Sequence, residues 1–127
     1  MKYKKISTAF VVAAMLLGAL PAHRAQAAEM AYDRQLVRLA EVLGSLHYLR
    51  ALCGEQNGLW RARMEALLEA EKPDEERRAR MVASFNHGFS SFAAVYTTCT
   101  KSAVTAINRY MKEGEKLTTD IVQRYGY

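Results

Sequence analysis

On a helical wheel turning about 100° per residue, the stretch around Met81 to Cys99 sorts into two sides. Met81, Phe85, Gly88, Phe89, Phe92, Val95, Tyr96 and Cys99 fall within one apolar arc, while His87, Ser90, Ala94 and Thr98 lie opposite. This predicts a helix that opens at Asp74-Glu75-Glu76, where acids suit the positive end of the helix dipole, and ends near Cys99. Upstream, Tyr32, Leu36, Leu39, Ala40, Leu43 and Leu46 form a second stripe, with Arg34, Arg38, Glu41 and Ser45 on the other side. That pattern predicts a helix from about Ala31 to Cys53, with Gly54 as a left-handed stop. Trp60, Met64, Leu67 and Leu68 mark the buried side of a shorter helix, roughly Leu59 to Glu71. Asn57 is positioned to cap it, and Lys72-Pro73 ends it, because a residue before proline avoids helical angles. Thr100 is placed to cap a last helix, about Lys101 to Arg124. Ala103, Ile107, Tyr110, Met111, Gly114, Leu117, Ile121 and Tyr125 are expected on its inner side, and Arg109, Lys112, Glu113, Lys116 and Asp120 on its outer side.

Short connections between helices favour antiparallel neighbours. The expected fold is therefore all-α: a four-helix up-down bundle with a shorter second helix. Helices one and three then point the same way, and the two cysteines of the chain, Cys53 and Cys99, close them at one end. A disulfide between them is the expected arrangement, and closing a loop of that size stabilises by about 4 kcal/mol on the chain-entropy model. The alternative is two separate buried thiols.

The N-terminus changes the picture of charge and address. Met1 to Lys5 is basic, Ile6 to Leu20 is an uncharged apolar run of 15 residues, and Ala25-Gln26-Ala27 offers small residues at the −3 and −1 positions of a cleavage site. Residues 1–27 thus read as a signal peptide and 28–127 as one helical domain in the periplasm, an oxidising compartment. The rival is a membrane anchor, but the run stops at Pro21 and a bilayer needs about 20 residues. The mature chain is expected to have no membrane span. Without Lys2, Lys4, Lys5 and Arg24, the mature chain keeps 14 of the 18 basic residues and all 13 acids, a net charge of +1. A nucleic-acid binder carries a basic stripe on its folded domain, so that class is set aside.

Candidate chemistry is sparse. His47 and His87 fall on different helices, and the chain has no histidine pair at i, i+4, no CxxC and no CxxCH. Met64, Met81 and Met111 sit on core stripes, where methionine fills space. No metal and no cofactor is expected. There is no Gly-x-Ser-x-Gly elbow, Ser90 and Ser91 point outward, and Glu69 and Glu71 face different directions on their helix; no catalytic residue is nominated. The polar pair on the apolar side of the first helix is His47 with Arg50. Either Arg50 reaches solvent while capping its own helix and His47 is a hydrogen-bonded core residue, or the two form a small pocket. In that pocket Arg50 would engage a carboxylate, with Trp60, Asn86 and Tyr96 as neighbours. Tyr48, Leu49 and Leu52 leave apolar groups off the main stripe. They mark a partner-binding face or pack against the second helix or the 54–58 turn. Arg77, Arg78 and Arg80 read as a basic patch or as a solvated face paired to upstream carboxylates.

Tyr32-Asp33-Arg34, Leu39-Ala40-Glu41-Val42-Leu43-Gly44, Leu46-His47-Tyr48-Leu49-Arg50 and Leu52-Cys53-Gly54 resemble a family of small exported alphaproteobacterial proteins with a cysteine-containing helical domain of unknown function. The likeness continues through Trp60, Phe85-Asn86-His87-Gly88-Phe89, Phe92, Tyr96, Cys99-Thr100, Arg109-Tyr110 and Glu113-Gly114, nearly the whole mature chain. It brings no catalytic residues, and it implies that the position of His87 is variable and often basic. It also implies a periplasmic protein that supports peptidoglycan growth and division in polar-growing bacteria. The expected function is a non-enzymatic module that binds peptidoglycan or envelope proteins. A periplasmic stress chaperone and a cell-wall hydrolase or its activator are the alternatives.

Overall fold

The structure, a computed structural model, describes residues 20–126, with side chains from Ala22 onward. Four helices follow in order: α1 (Leu20–Leu52), α2 (Leu59–Glu71), α3 (Glu75–Ala93) and α4 (Lys101–Tyr125). There is no strand among the described residues. None of the described helices is long and apolar enough to cross a membrane. Most of the expected export signal lies outside the described residues. Its cleavage residues Ala25 and Ala27 fall on the exposed first turns of α1.

Helix α1 begins eleven residues before the Ala31 expected from its stripe. The alanine-rich segment 22–31 has high helical propensity and no breaker. The other end is as expected. Gly54 takes φ 105°, its N–H donates to the Ala51 carbonyl at 3.2 Å, and Glu55 N–H donates to the Arg50 carbonyl at 2.8 Å, the paired bonds of a Schellman stop.

Side-chain caps set the later boundaries. Gly58 occupies the cap position of α2 in a left-handed conformation, so Asn57 acts from one residue further back, accepting from Leu59 N–H at 3.1 Å. Asp74 caps α3 by accepting from Arg77 N–H at 2.8 Å, and Thr100 caps α4 by accepting from Ala103 N–H at 3.1 Å. Helix α3 stops at Ala93, six residues short of Cys99. The 95–100 segment contains Val95, Thr97, Thr98 and Thr100, residues of low helical propensity, and it must turn to deliver the cap of α4. Val95, placed on the apolar arc by helical spacing, is therefore 70% exposed.

The pairing of side chains gives the directions. Asp33 meets Arg77, Val37 meets Ser84, and Cys53 meets Cys99, so α1 and α3 run parallel. Tyr32 meets Tyr125 and Arg38 meets Glu113, so α4 is antiparallel to α1. Tyr32 also donates to Glu71 at 2.7 Å, near the far end of α2, which makes α2 antiparallel as well. The up-down order holds, and the second helix is the shortest. Its centre, however, is α1, which packs on each of the other three while they scarcely touch one another. A helix wrapped on three sides buries more than one stripe. Val42, Gly44, Ser45 and Leu49 are all buried along with Leu36, Leu39, Ala40, Leu43 and Leu46. Ser45, expected outward, is 1% exposed, with its hydroxyl donating to the Glu41 carbonyl at 2.8 Å.

Two glycines explain how closely α1 and α3 approach. A Cβ at Gly44 would stand 1.9 Å from the Phe85 carbonyl oxygen, and one at Gly88 would stand 2.2 Å from the Glu41 carbonyl oxygen. The crossing is backbone against backbone. Ser84 adds a hydrogen bond to the Val37 carbonyl at 2.8 Å. One end of the pair is held by Asp33 with Arg77 at 2.5 Å and Arg80 at 3.7 Å. The other end is closed by the Cys53–Cys99 disulfide, Sγ–Sγ 2.03 Å. Two of the three arginines in the 77–80 cluster are thus paired to an upstream carboxylate, and Arg78 is exposed.

Candidate functional site

The five residues nominated for one polar pocket are not brought together. His47 lies between two rings of α3, with centroid distances of 5.8 Å to Phe85 and 5.6 Å to Phe89. Burial among them holds its pKa below the usual imidazole value, and the positive charge of Arg61 adds to the shift. Arg50 does engage a carboxylate, but the partner is Glu55 of the following turn: Nε donates to Oε2 at 2.6 Å and Nη2 donates to the same oxygen. Together with Cys53, Gly54, Gln56 and Asn57 they line a shallow cavity of about 500 Å³. Asn86 is exposed on α3. Tyr96 lies half-buried in the 94–100 connection, stacked on Phe92, with its carbonyl accepting from the Tyr48 hydroxyl. Trp60 is elsewhere, 5% exposed on α2.

The nominated partner face is occupied by the chain itself. Leu49 is fully buried, Tyr48 is held by Tyr96 and by an edge-on contact with Phe89 at 5.2 Å, and Leu52 packs partly buried against the core. The reason is the centrality of α1: α3 and the 94–100 connection cover the side that a single stripe leaves open. Among the described residues no cluster of three or more histidine, cysteine or acidic groups could hold a metal ion.

A larger concavity lies in the gap between α2 and α4. It measures about 750 Å³. Its floor is Leu39, Val42, Leu43 and Leu46 of α1, one wall is Trp60, Arg63, Ala66 and Leu67 of α2, and the other is Met111, Gly114, Glu115, Thr118 and Thr119 of α4. The site exists because α2 and α4 each pack on α1 but not closely on one another. A volume of this size with an apolar floor and a few polar groups on its walls suits a ligand groove. Arg63 spreads its guanidinium 4.6 Å from the Trp60 ring centre, which places a cation at the lip of the α2 wall. Glu115 supplies an anion on the α4 wall. The Trp60 indole N–H is buried and has no hydrogen-bond partner among the described residues, a cost of about 1–3 kcal/mol if it stays unsatisfied.

Of the groove residues, only Trp60 was marked from sequence as a binding candidate. A signal did exist on α4. Val104, Met111, Glu115, Thr118 and Val122 share one helical face, and Val104, Met111 and Val122 are exposed apolar side chains. Met111 was assigned inward; it is 39% exposed, because the inner position falls to Ala106 and Ile107.

The fold and site define a class: an all-α, disulfide-closed four-helix domain organised on a central first helix, with an open apolar groove. Within that class the chain belongs to the family described as "Protein of unknown function (DUF2385)", which matches residues 31–125. The matched span contains every buried hydrophobic residue of the core. No curated protein and no solved structure matches the chain.

Proposed function

We propose that this chain is an exported, non-enzymatic periplasmic protein that supports cell-envelope growth or division by binding peptidoglycan or envelope proteins. The observation that carries the reading is a preformed, largely apolar groove on a bundle closed at one end by a disulfide. Disulfides persist outside the reducing cytoplasm, and the basic, apolar and small-residue segments of the N-terminus suit export. The resemblance to exported alphaproteobacterial proteins agrees with both. The test is co-sedimentation of the oxidised mature protein with purified sacculi, alongside crosslinking in intact cells. Retention on sacculi or a crosslink to an envelope protein is expected; the absence of both overturns the proposal.

A second reading, a periplasmic stress chaperone, rests on His47. Its pKa is held down by burial, so acid that charges it weakens the α1–α3 contact and uncovers the half-buried Phe85 beside the already exposed Phe89. Aggregation suppression that rises on acidification in wild type but not in His47→Gln supports this reading, and a flat profile removes it.

A further inference from the structure

We infer that the α2–α4 groove docks an amphipathic helix of a partner protein, one with small apolar residues on its contact face flanked by one acid and one base. The inference rests on the binding-module reading above and assigns the occupant's class. Both walls are helices antiparallel to α1 and therefore parallel to each other. At about 1.5 Å rise per residue, the lining segments 60–67 and 111–119 extend roughly 10–12 Å, about two helical turns. Ala66 on one wall and Gly114 and Thr118 on the other keep the walls low, so a helix can settle between them with close backbone approach. Val104 and Val122 continue the Met111 face of α4 as exposed apolar side chains beyond the cavity. The apolar strip is thus longer than the groove and suits an extended occupant more than a compact one.

Charge narrows the class further. Arg63 stands on one wall and Glu115 on the other, and neither has an ion-pair partner among the described residues. A polyanion would face Glu115 and a polycation would face Arg63. A helix face carrying both signs satisfies both lips, and such rim charges set register and orientation more than raw affinity.

The test selects binders to the oxidised mature protein from a displayed library of random, tryptophan-free helical peptides. Binding is read from the emission of Trp60, the single tryptophan of the chain. The expected winners share small apolar residues at i, i+4 spacing and carry one acid and one base. Ala66→Arg, at an exposed position, is expected to weaken them about tenfold or more with unchanged far-UV circular dichroism. Arg63→Glu weakens them similarly, and exchanging the peptide's acid for lysine restores binding to that variant. Winners indifferent to both substitutions, or no rescue by charge exchange, overturn the inference. Sacculi and zwitterionic phospholipid vesicles are run beside the peptides. If either shifts Trp60 emission in wild type but not in Ala66→Arg while no peptide does, the groove takes wall or lipid and the helix assignment falls alone. If sacculi do not bind and crosslinking in cells finds no envelope partner, the parent reading falls as well.

Discussion

Replacing Gly44 with alanine puts a methyl group where α3 already lies. The new Cβ would sit 1.9 Å from the Phe85 carbonyl oxygen, 2.7 Å from its carbon and 3.0 Å from its Cα. Carbon–oxygen contacts between helices settle near 3.3–3.6 Å, so the crossing must open by more than about 1 Å. The obstacle is backbone in a packed helix, and no side-chain rotation relieves it. Overpacking of this kind costs about 1–3 kcal/mol, and the backbone clash points to the upper end. Against it stands the gain from alanine over glycine in a helix interior, about 1 kcal/mol. The expected net loss is about 2 kcal/mol, a fall in Tm of roughly 10 °C for a domain of this size. Gly114→Ala is the control: its nearest neighbour is the Val42 Cγ1 at 3.3 Å, a side-chain atom that can yield. Here the helical gain dominates, and stability is unchanged or raised by up to about 1 kcal/mol. Urea and thermal melts of the oxidised proteins by circular dichroism measure both. A Gly44→Ala protein as stable as wild type would refute the backbone-contact account of the α1–α3 crossing.

Reduction of Cys53–Cys99 releases a loop spanning 46 positions and is expected to cost about 4 kcal/mol at most, read as a lower urea midpoint in dithiothreitol; an unchanged midpoint contradicts it. Leu49→Ala should lose about 2–5 kcal/mol because the side chain is fully buried, whereas a partner-facing leucine would leave the melt unaltered. Glu113 accepts two hydrogen bonds from Arg38, at 2.6 and 2.8 Å, which hold its carboxyl below the ordinary glutamate value against the opposing effect of burial. A depressed acid stabilises above its unfolded pKa, and that contribution is lost as pH falls through the folded value. Both side chains are about one-third exposed, so Glu113→Gln should cost no more than about 1 kcal/mol at pH 7. The difference from wild type should close below about pH 4; a gap constant from pH 7 to 3 would count against the ion pair.

Local signals in this chain were readable wherever one residue type has one job. Gly54 ends α1 with its own N–H, while Asp74 opens α3 and Thr100 opens α4 with side-chain oxygens that accept from backbone N–H groups. The disulfide was legible in two cysteines of a chain that reads as exported, and their places near the ends of two co-directed helices agree with it. What escaped was what depends on how many neighbours a helix has. A wheel assumes one buried face, so it puts Ser45 outward and leaves Leu49 between a partner face and packing within the chain, whereas on the central helix both are buried. The end of α3 was set by the route to the next cap, and the apolar period ran on past it through Val95 to Cys99. Arg50 was matched to a carboxylate, but nothing in the pattern distinguishes an external acid from Glu55 one turn away. The groove was the least legible feature. It is defined by two helices failing to meet, and its walls are largely small or polar residues that periodicity treats as ordinary surface.

Export and cysteine pairing are both read by intact-mass measurement of the protein recovered from fractionated cells. With iodoacetamide present during lysis, the account predicts a chain beginning at Ala28, two hydrogen atoms lighter than its reduced mass and carrying no alkyl group. A chain that retains residues 1–27 inside the cell, alkylated at both Cys53 and Cys99, would contradict it.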